Sequence, residues 1–241
     1  MRWAIVCDFD GTIAVEDVTD SVLARFADPA WREIENDWKA GLIGSRECMA
    51  RQVDLLRCER SELDAHIDAV RIDPAFPAFV SFCRRKGVSL RVVSDGLDYV
   101  ILRVLRRHGI HNLPVVANRL DMLPGGRYRL GFPNALGACV AASGTCKCST
   151  MSAGPGHDIR VRPRHLLIGD GASDFCAATG ADLVFAKDRL LAHCEQRNLP
   201  HVAFADFGEA RRLFAALLDI PAKIAEPLAG DGERAALGFG D

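Results

Sequence analysis

Two carboxylates one residue apart, Asp8 and Asp10, follow directly on the apolar run Trp3-Ala4-Ile5-Val6-Cys7 and precede Gly11-Thr12. Such a run reads as a buried strand, and a glycine after it lets the chain turn sharply. The carboxylates then project from the strand's carboxyl end, the edge at which open α/β sheets bind ligands. Like charges this close raise each other's pKa, so they need a cation between them or a proton on one of them. Mg²⁺ meets that need, because it takes carboxylates, carbonyls, waters and substrate phosphates together. The pair points to magnesium-dependent phosphate chemistry, although Asp-x-Asp also occurs in surface turns as solvated or capping residues.

Three later segments carry the same chemistry further. Ser94-Asp95-Gly96 follows the strand-like run Val88–Val93. A small hydroxyl residue there, with the next backbone N–H groups and a helix N-terminus, can hold a phosphate oxygen; alone, the same residues read first as an N-cap for the helix at Leu97. Gly169-Asp170-Gly171-Ala172-Ser173-Asp174 follows His165–Ile168, and both Asp170 and Asp174 can face the cation. Lys147, in Gly144-Thr145-Cys146-Lys147-Cys148, is placed to offset the charge of a phosphate and a nucleophile. Lys187 is its rival, read as a surface-turn residue after the last acidic loop.

Positioning these groups needs a parallel sheet. Helical patterns at Phe76–Arg85, Leu97–Arg107 and around Ser173–Thr179 alternate with strand patterns at Val88–Val93, Val115–Ala117, His165–Ile168, Leu183–Phe185 and Val202–Phe204. That alternation predicts an α/β, doubly wound parallel sheet. Pro124-Gly125-Gly126 predicts a hairpin turn within Arg119–Leu130. Residues 13–71 instead read as four short helices without an intervening strand, with Ser45 and Ser61 as expected caps. Trp31 and Trp38, seven apart, lie on one helical face and read as bundle core. The expected organisation is a catalytic core from residues 1–15 and 73–220, a helical cap over 16–72 inserted after the first strand, and a poorly ordered tail over 221–241.

Composition limits the functional classes. The 241 residues carry 30 basic and 32 acidic side chains, a formal charge of −2, which offers no broad electrostatic surface for nucleic acid or membrane. No apolar stretch reaches the roughly 20 residues of a membrane span. Nine cysteines, an odd number without a small-domain framework, fit a reducing, cytoplasmic setting. Cys139, Cys146 and Cys148 lack a convincing fourth ligand for structural zinc.

The four segments together resemble the haloacid-dehalogenase-like superfamily, and the helical insertion resembles the cap of its phosphoserine-phosphatase-like branch. The resemblance spans residues 3–205. It favours Lys147 over Lys187, from its interval to the last acidic loop, and implies a mechanism. Asp8 is the nucleophile that forms an aspartyl-phosphate. Asp10 is the general acid, then the base. Mg²⁺ sits among Asp8, the Asp10 carbonyl and Asp170, with Asp174 orienting its waters or Lys147. Ser94 and the N–H groups of Asp95 and Gly96 hold the phosphoryl oxygens.

The substrate implied is a small phosphorylated metabolite, selected by the cap, with Arg46 and Asp17 as its candidate contacts. The run Gly44–Met49 and the Gly-Thr-Cys-Lys segment are similar to the methionine-salvage enol phosphate phosphatases. Phosphatases of phosphoserine, phosphocholine and phosphoethanolamine are the alternatives, the last two sharing an Asp in the second motif. A phosphotransferase and a non-catalytic phosphometabolite-binding protein remain open, as does the oligomeric state.

Overall fold

The structure is a computed structural model that describes residues 2–137, 139, 141–152 and 163–219. The expected tail over 221–241 lies outside the described residues. At the centre is β1 (Trp3–Cys7), every residue of which is buried. It pairs in parallel with β2 (Ser89–Leu97) on one side and β5 (Arg164–Gly169) on the other. β3 (Val115–Leu123) extends the sheet beyond β2, and β4 (Arg127–Gly131) closes that edge as an antiparallel hairpin. β6 (Leu183–Ala186) and β7 (His201–Ala203) extend the other edge in parallel, giving the order β4-β3-β2-β1-β5-β6-β7. The chain moves outward from β1 in one direction and then returns to β5 to move in the other. The crevice between β1 and β5 is therefore the switch point at which such sheets bind ligands.

Between β1 and the rest of the sheet come four helices: α1 (Val18–Phe26), α2 (Trp31–Lys39), α3 (Ser45–Val53) and α4 (Arg60–Ile67). Ala14 and Ile72 form an antiparallel bridge where the chain leaves for these helices and returns from them. α1 starts at an Asp17 N-cap whose side chain accepts the Asp20 N–H. Trp31 is buried within the hydrophobic core, while Trp38 is half-buried.

The remaining helices cover the sheet: α5 (Phe76–Arg85), α6 (Asp98–Arg107), the short α7 (Lys147–Ser152) and α8 (Phe175–Ala178), α9 (Asp188–Arg197) and α10 (Phe207–Asp219). Phe207 and Phe214 of α10 are fully buried; Phe207 packs on Phe76 and Phe79, and Phe214 on Trp3 and Phe82.

Several local expectations need correction. Ser45 is the first residue of α3, whose N-cap is Gly44, and Ser61 lies inside α4, which Glu59 caps in a reciprocal box with Glu62. The Ser94–Gly96 segment is the irregular end of β2, with a register shift between Val93 and Leu97, and the helix begins only at Asp98. The short strand expected at Val115–Ala117 continues through Asn118 to Leu123. A buried asparagine in mid-strand is sustained there because its amide is fully engaged, as the site shows.

Candidate active site

Asp8 stands one residue beyond β1, its N–H still bonded to the Ile168 carbonyl at 2.9 Å, so it continues the ladder to the carboxyl edge. Phe9 is fully buried and anchors the following loop, its carbonyl accepting the N–H groups of Thr12, Ile13 and Ala14. Gly11 has φ +64°, and a Cβ there would stand 2.5 Å from the Asp170 carboxylate. Glycine at that position is thus what lets the two loops meet. Thr12 fastens them by donating its hydroxyl to Asp170 Oδ1 at 2.6 Å.

The charged centre gathers around the Lys147 ammonium, which lies 2.8 Å from Asp8 Oδ2 and 2.6 Å from Asp174 Oδ1. All three residues are buried. Asp8 is held at both oxygens, since Oδ1 accepts the Phe9 N–H at 2.8 Å. Lys147 Nζ also donates to Ser173 Oγ at 2.9 Å. Gly169 makes room for Asp174, because a Cβ there would fall 2.4 Å from Asp174 Oδ2. Carboxylate oxygens of Asp8, Asp170 and Asp174 lie within 4.8 Å of one another.

The electrostatics leave this group short of positive charge. Burial lowers the Lys147 pKa, but Asp174 and Asp8 outweigh it and hold the ammonium protonated. Burial, reinforced by Asp8, pushes Asp174 up to about 7 despite the lysine. Asp170 is raised as well, again chiefly by burial. Lys187 also favours the Asp170 carboxylate from the margin, yet Asp170 and Asp174 stay raised, so an added cation would favour ionising the three carboxyl groups together. The donor set is all oxygen and lies at the sheet edge, so it fits a hard divalent ion.

Asp10 behaves differently. Its carboxylate turns away from the ammonium and accepts the Val18 N–H at 2.9 Å and the Thr19 hydroxyl at 3.3 Å, at the start of α1. The residue is half-buried, but its carboxyl end is enclosed, and desolvation followed by the nearby Asp17 raises its pKa well above the ordinary range. It faces the Ser94–Gly96 segment: a Cβ on Gly96 would lie 2.8 Å from Asp10 Oδ2 and 3.1 Å from Ser94 Oγ. Ser94 is buried and its Oγ accepts the Gly96 N–H at 2.9 Å.

Asp95 has a role that its motif position does not convey. Its Oδ2 accepts the Ser45 hydroxyl at 2.7 Å, and its Oδ1 accepts the Asn118 amide at 2.9 Å and the Thr145 N–H at 2.9 Å. Thr145 in turn donates its hydroxyl to Asn118 Oδ1 at 3.0 Å. The side chain therefore joins α3 to β3 and to the loop that carries Lys147. Beside it the Arg46 N–H donates to the Ala142 carbonyl at 3.0 Å.

The two cap candidates fare unequally. Asp17 neighbours Asp10 electrostatically and lines a shallow cleft of about 560 Å³ with Asp20, Arg25 and Trp31. Arg46 is exposed at the start of α3 and does not line that cleft. Lys187, expected on a surface turn, is half-buried and donates to the Thr12 carbonyl at 3.4 Å, at the margin of the acid cluster. Sequence reasoning missed Thr12, Ser45, Asn118 and Thr145. Thr12 alone carried a local signal, as the hydroxyl residue that closes the first motif.

At this edge of the sheet one carboxylate is held by a buried lysine, with a second carboxyl group two residues on. The family model for haloacid dehalogenase-like hydrolases matches residues 5–179, and the chain belongs to that family. Within it, the chain is 30% identical over 216 residues to the 2-hydroxy-3-keto-5-methylthiopentenyl-1-phosphate phosphatase of Brevibacillus brevis, covering 88% of this chain and 95% of that protein. The protein of the same name from Geobacillus kaustophilus is 32% identical over 208 residues, covering 84% of this chain and 91% of its own. Among solved structures, a substrate-bound phosphoserine phosphatase shares the fold with a TM-score of 0.64 at 19% identity, over 88% of this chain and 98% of that one.

Proposed function

We propose that this chain is a magnesium-dependent phosphomonoesterase that hydrolyses a small phosphorylated metabolite. The observation that carries the reading is the division of labour between two carboxyl groups. Asp8 is pinned beside an ammonium, while Asp10 is desolvated, raised in pKa and aimed at the Ser94–Gly96 segment. A carboxylate held against an ammonium suits a nucleophile, and a carboxyl group raised by burial suits a general acid.

The steps follow from those placements. An Asp8 oxygen attacks phosphorus in line, and the ester P–O bond breaks as Asp10 delivers its proton to the departing oxygen. Water then attacks the phosphorus of the aspartyl-phosphate, Asp10 takes the water's proton, and Asp8 is released with inorganic phosphate. Ser94 and the N–H groups of Asp95 and Gly96 would hold the phosphoryl oxygens, the Gly96 N–H leaving Ser94 Oγ to do so. Lys147 offsets the charge that accumulates on Asp8 and phosphate, and Asp174 fixes Lys147. Asp8, Asp170 and the Asp10 carbonyl are the groups that would hold Mg²⁺, with Asp174 at its margin. Bound there, the ion would neutralise transferring phosphate oxygens.

In this reading the core spans 1–15 and 73–220, and the cap over 16–72 selects the ester through Asp17 and Arg46. The relatives at 30% and 32% identity favour 2-hydroxy-3-keto-5-methylthiopentenyl-1-phosphate as substrate. Nine cysteines without a small-domain disulfide framework fit a reducing, cytoplasmic setting, and among the described residues no helix is long and apolar enough to cross a membrane. The test is phosphate release with Mg²⁺ from that enol phosphate, phosphoserine, phosphocholine, phosphoethanolamine and an aryl phosphate. Preferred turnover of the enol phosphate is expected. Preference for another ester would reassign the substrate, and no release from any ester would remove the phosphatase reading.

A further inference from the structure

The sulfurs of Cys148 and Cys176 stand 2.9 Å apart, although the two residues are separated by 28 positions. Cys148 follows Lys147 on α7, and Cys176 lies two residues beyond Asp174 on α8. The pair therefore brackets the Lys147–Asp174 contact of 2.6 Å from its outer side. Cys176 is exposed and Cys148 half-buried, so an oxidant reaches them from solvent; Cys139 is half-buried too, whereas Cys7, Cys48, Cys58, Cys83, Cys146 and Cys194 are buried.

We propose that Cys148 and Cys176 form a reversible disulfide that staples the helix bearing Lys147 to the helix following Asp174. With hydrogen peroxide as oxidant the chemistry balances. The Cys176 thiolate attacks a peroxide oxygen, giving a sulfenic acid and, after protonation, water. The Cys148 sulfur then displaces that hydroxyl as a second water, leaving one S–S bond and two thiols oxidised by one peroxide. A dithiol reductant reverses the bond.

Closing the gap from 2.9 Å to a bond of about 2.05 Å moves the sulfurs by less than about an ångström. The Lys147 ammonium stays within reach of Asp8. α7 has six residues and α8 four, both too short to hold their shape alone, so a covalent link between them constrains the part of the site with the weakest local support. Cys148 also hydrogen-bonds Cys146, and Cys146 hydrogen-bonds Cys139, so Cys176 joins the three cysteines that lacked a fourth ligand in the sequence, and a four-cysteine zinc site is the rival reading. Among the described residues, the one set of three or more potential ligands gathered within 4.8 Å is the acid cluster, with no cysteine in it.

The experiment treats the full chain with hydrogen peroxide, blocks remaining thiols, and reads intact mass, linked peptides, thermal midpoint and phosphate release. The expected result is a loss of two hydrogens, a Cys148–Cys176 peptide that dithiothreitol removes, and a midpoint raised by about 5 °C. Phosphate release should stay within about twofold, as the sub-ångström motion requires. Cys176→Ser should show neither link nor shift while keeping the reduced protein's activity. A different pairing, oxidation to sulfinic acid without a link, or stoichiometric zinc lost in Cys176→Ser would overturn the proposal. A correct link with release reduced more than about tenfold would overturn the staple. Mass and midpoint decide the linkage whether or not the phosphatase reading stands.

Discussion

Two clusters of polar side chains flank the central strand, and they are built on opposite principles. Around Lys147, three buried or half-buried carboxylates share one ammonium, and two of them are driven upward in pKa by desolvation. Around Asp95, one carboxylate receives the Ser45 hydroxyl, the Asn118 amide and the Thr145 N–H, with no charged partner among those bonds. The first cluster is short of positive charge, which is what the proposed cation chemistry would supply. The second is satisfied as it stands and serves to hold α3, β3 and the lysine loop in register. Residues two positions apart in one motif, Ser94 and Gly96, adjoin the Asp10 side, while Asp95 between them turns to the scaffold.

The contrast can be broken at several points. Asp8→Asn removes the nucleophile and should lower kcat by at least about a thousandfold with the fold retained, read by phosphate release and circular dichroism. Retained turnover would remove Asp8 from the chemistry. Lys147→Met leaves Asp8 and Asp174 buried without their cation. It should cost about 3 kcal/mol of stability in denaturant unfolding and at least about a hundredfold in kcat.

The pH dependence of stability tests the charge deficit directly. Asp174 titrates near 7 in the folded protein and at 3.8 when unfolded. Between those values the folded state binds more protons, so stability falls as pH rises through the window. In EDTA the thermal midpoint should therefore decline from about pH 4 to about pH 7. Mg²⁺ binds the ionised form, so its stabilising shift should be larger at the upper end of that range. A shift independent of pH would contradict the deficit.

At the Asp95 cluster the effects should be smaller and of another kind. Asp95→Ala strands the Thr145 N–H and leaves the Asn118 amide its bond to the Asp95 backbone carbonyl, and should cost about 2 kcal/mol in unfolding. Ser45→Ala removes one hydroxyl and should cost about 1 kcal/mol or less. Its mark would be a raised KM for the metabolite with little change for a small aryl phosphate. Equal loss on both esters would mean that the contact shapes the core rather than the cap.

Legibility in the sequence follows the same division. The first motif could be read because strand, carboxylates and glycine turn all lie within ten residues, and the strand does end beside Asp8. The sheet alternation was legible for the same reason. Lys147 had no local signature: an isolated lysine is usually a surface residue, and only the family interval separated it from Lys187. The Asp95 cluster was invisible, since its bonds reach 50 residues to Ser45, 23 to Asn118 and 50 to Thr145. Ser45 looked like a helix cap because a serine before an apolar-periodic run usually is one, yet its hydroxyl left the helix for Asp95. Asn118 looked like a strand end for the converse reason, its polar amide being affordable in mid-strand only with partners that no local window contains.

The most direct test is to mix enzyme and Mg²⁺ with the preferred ester, quench in acid within the first turnover, and map phosphorylated peptides by mass spectrometry. The account predicts a phosphoryl group on Asp8, absent from Asp8→Asn. Turnover with no phosphoryl group on the chain, or with one on another residue, would contradict it.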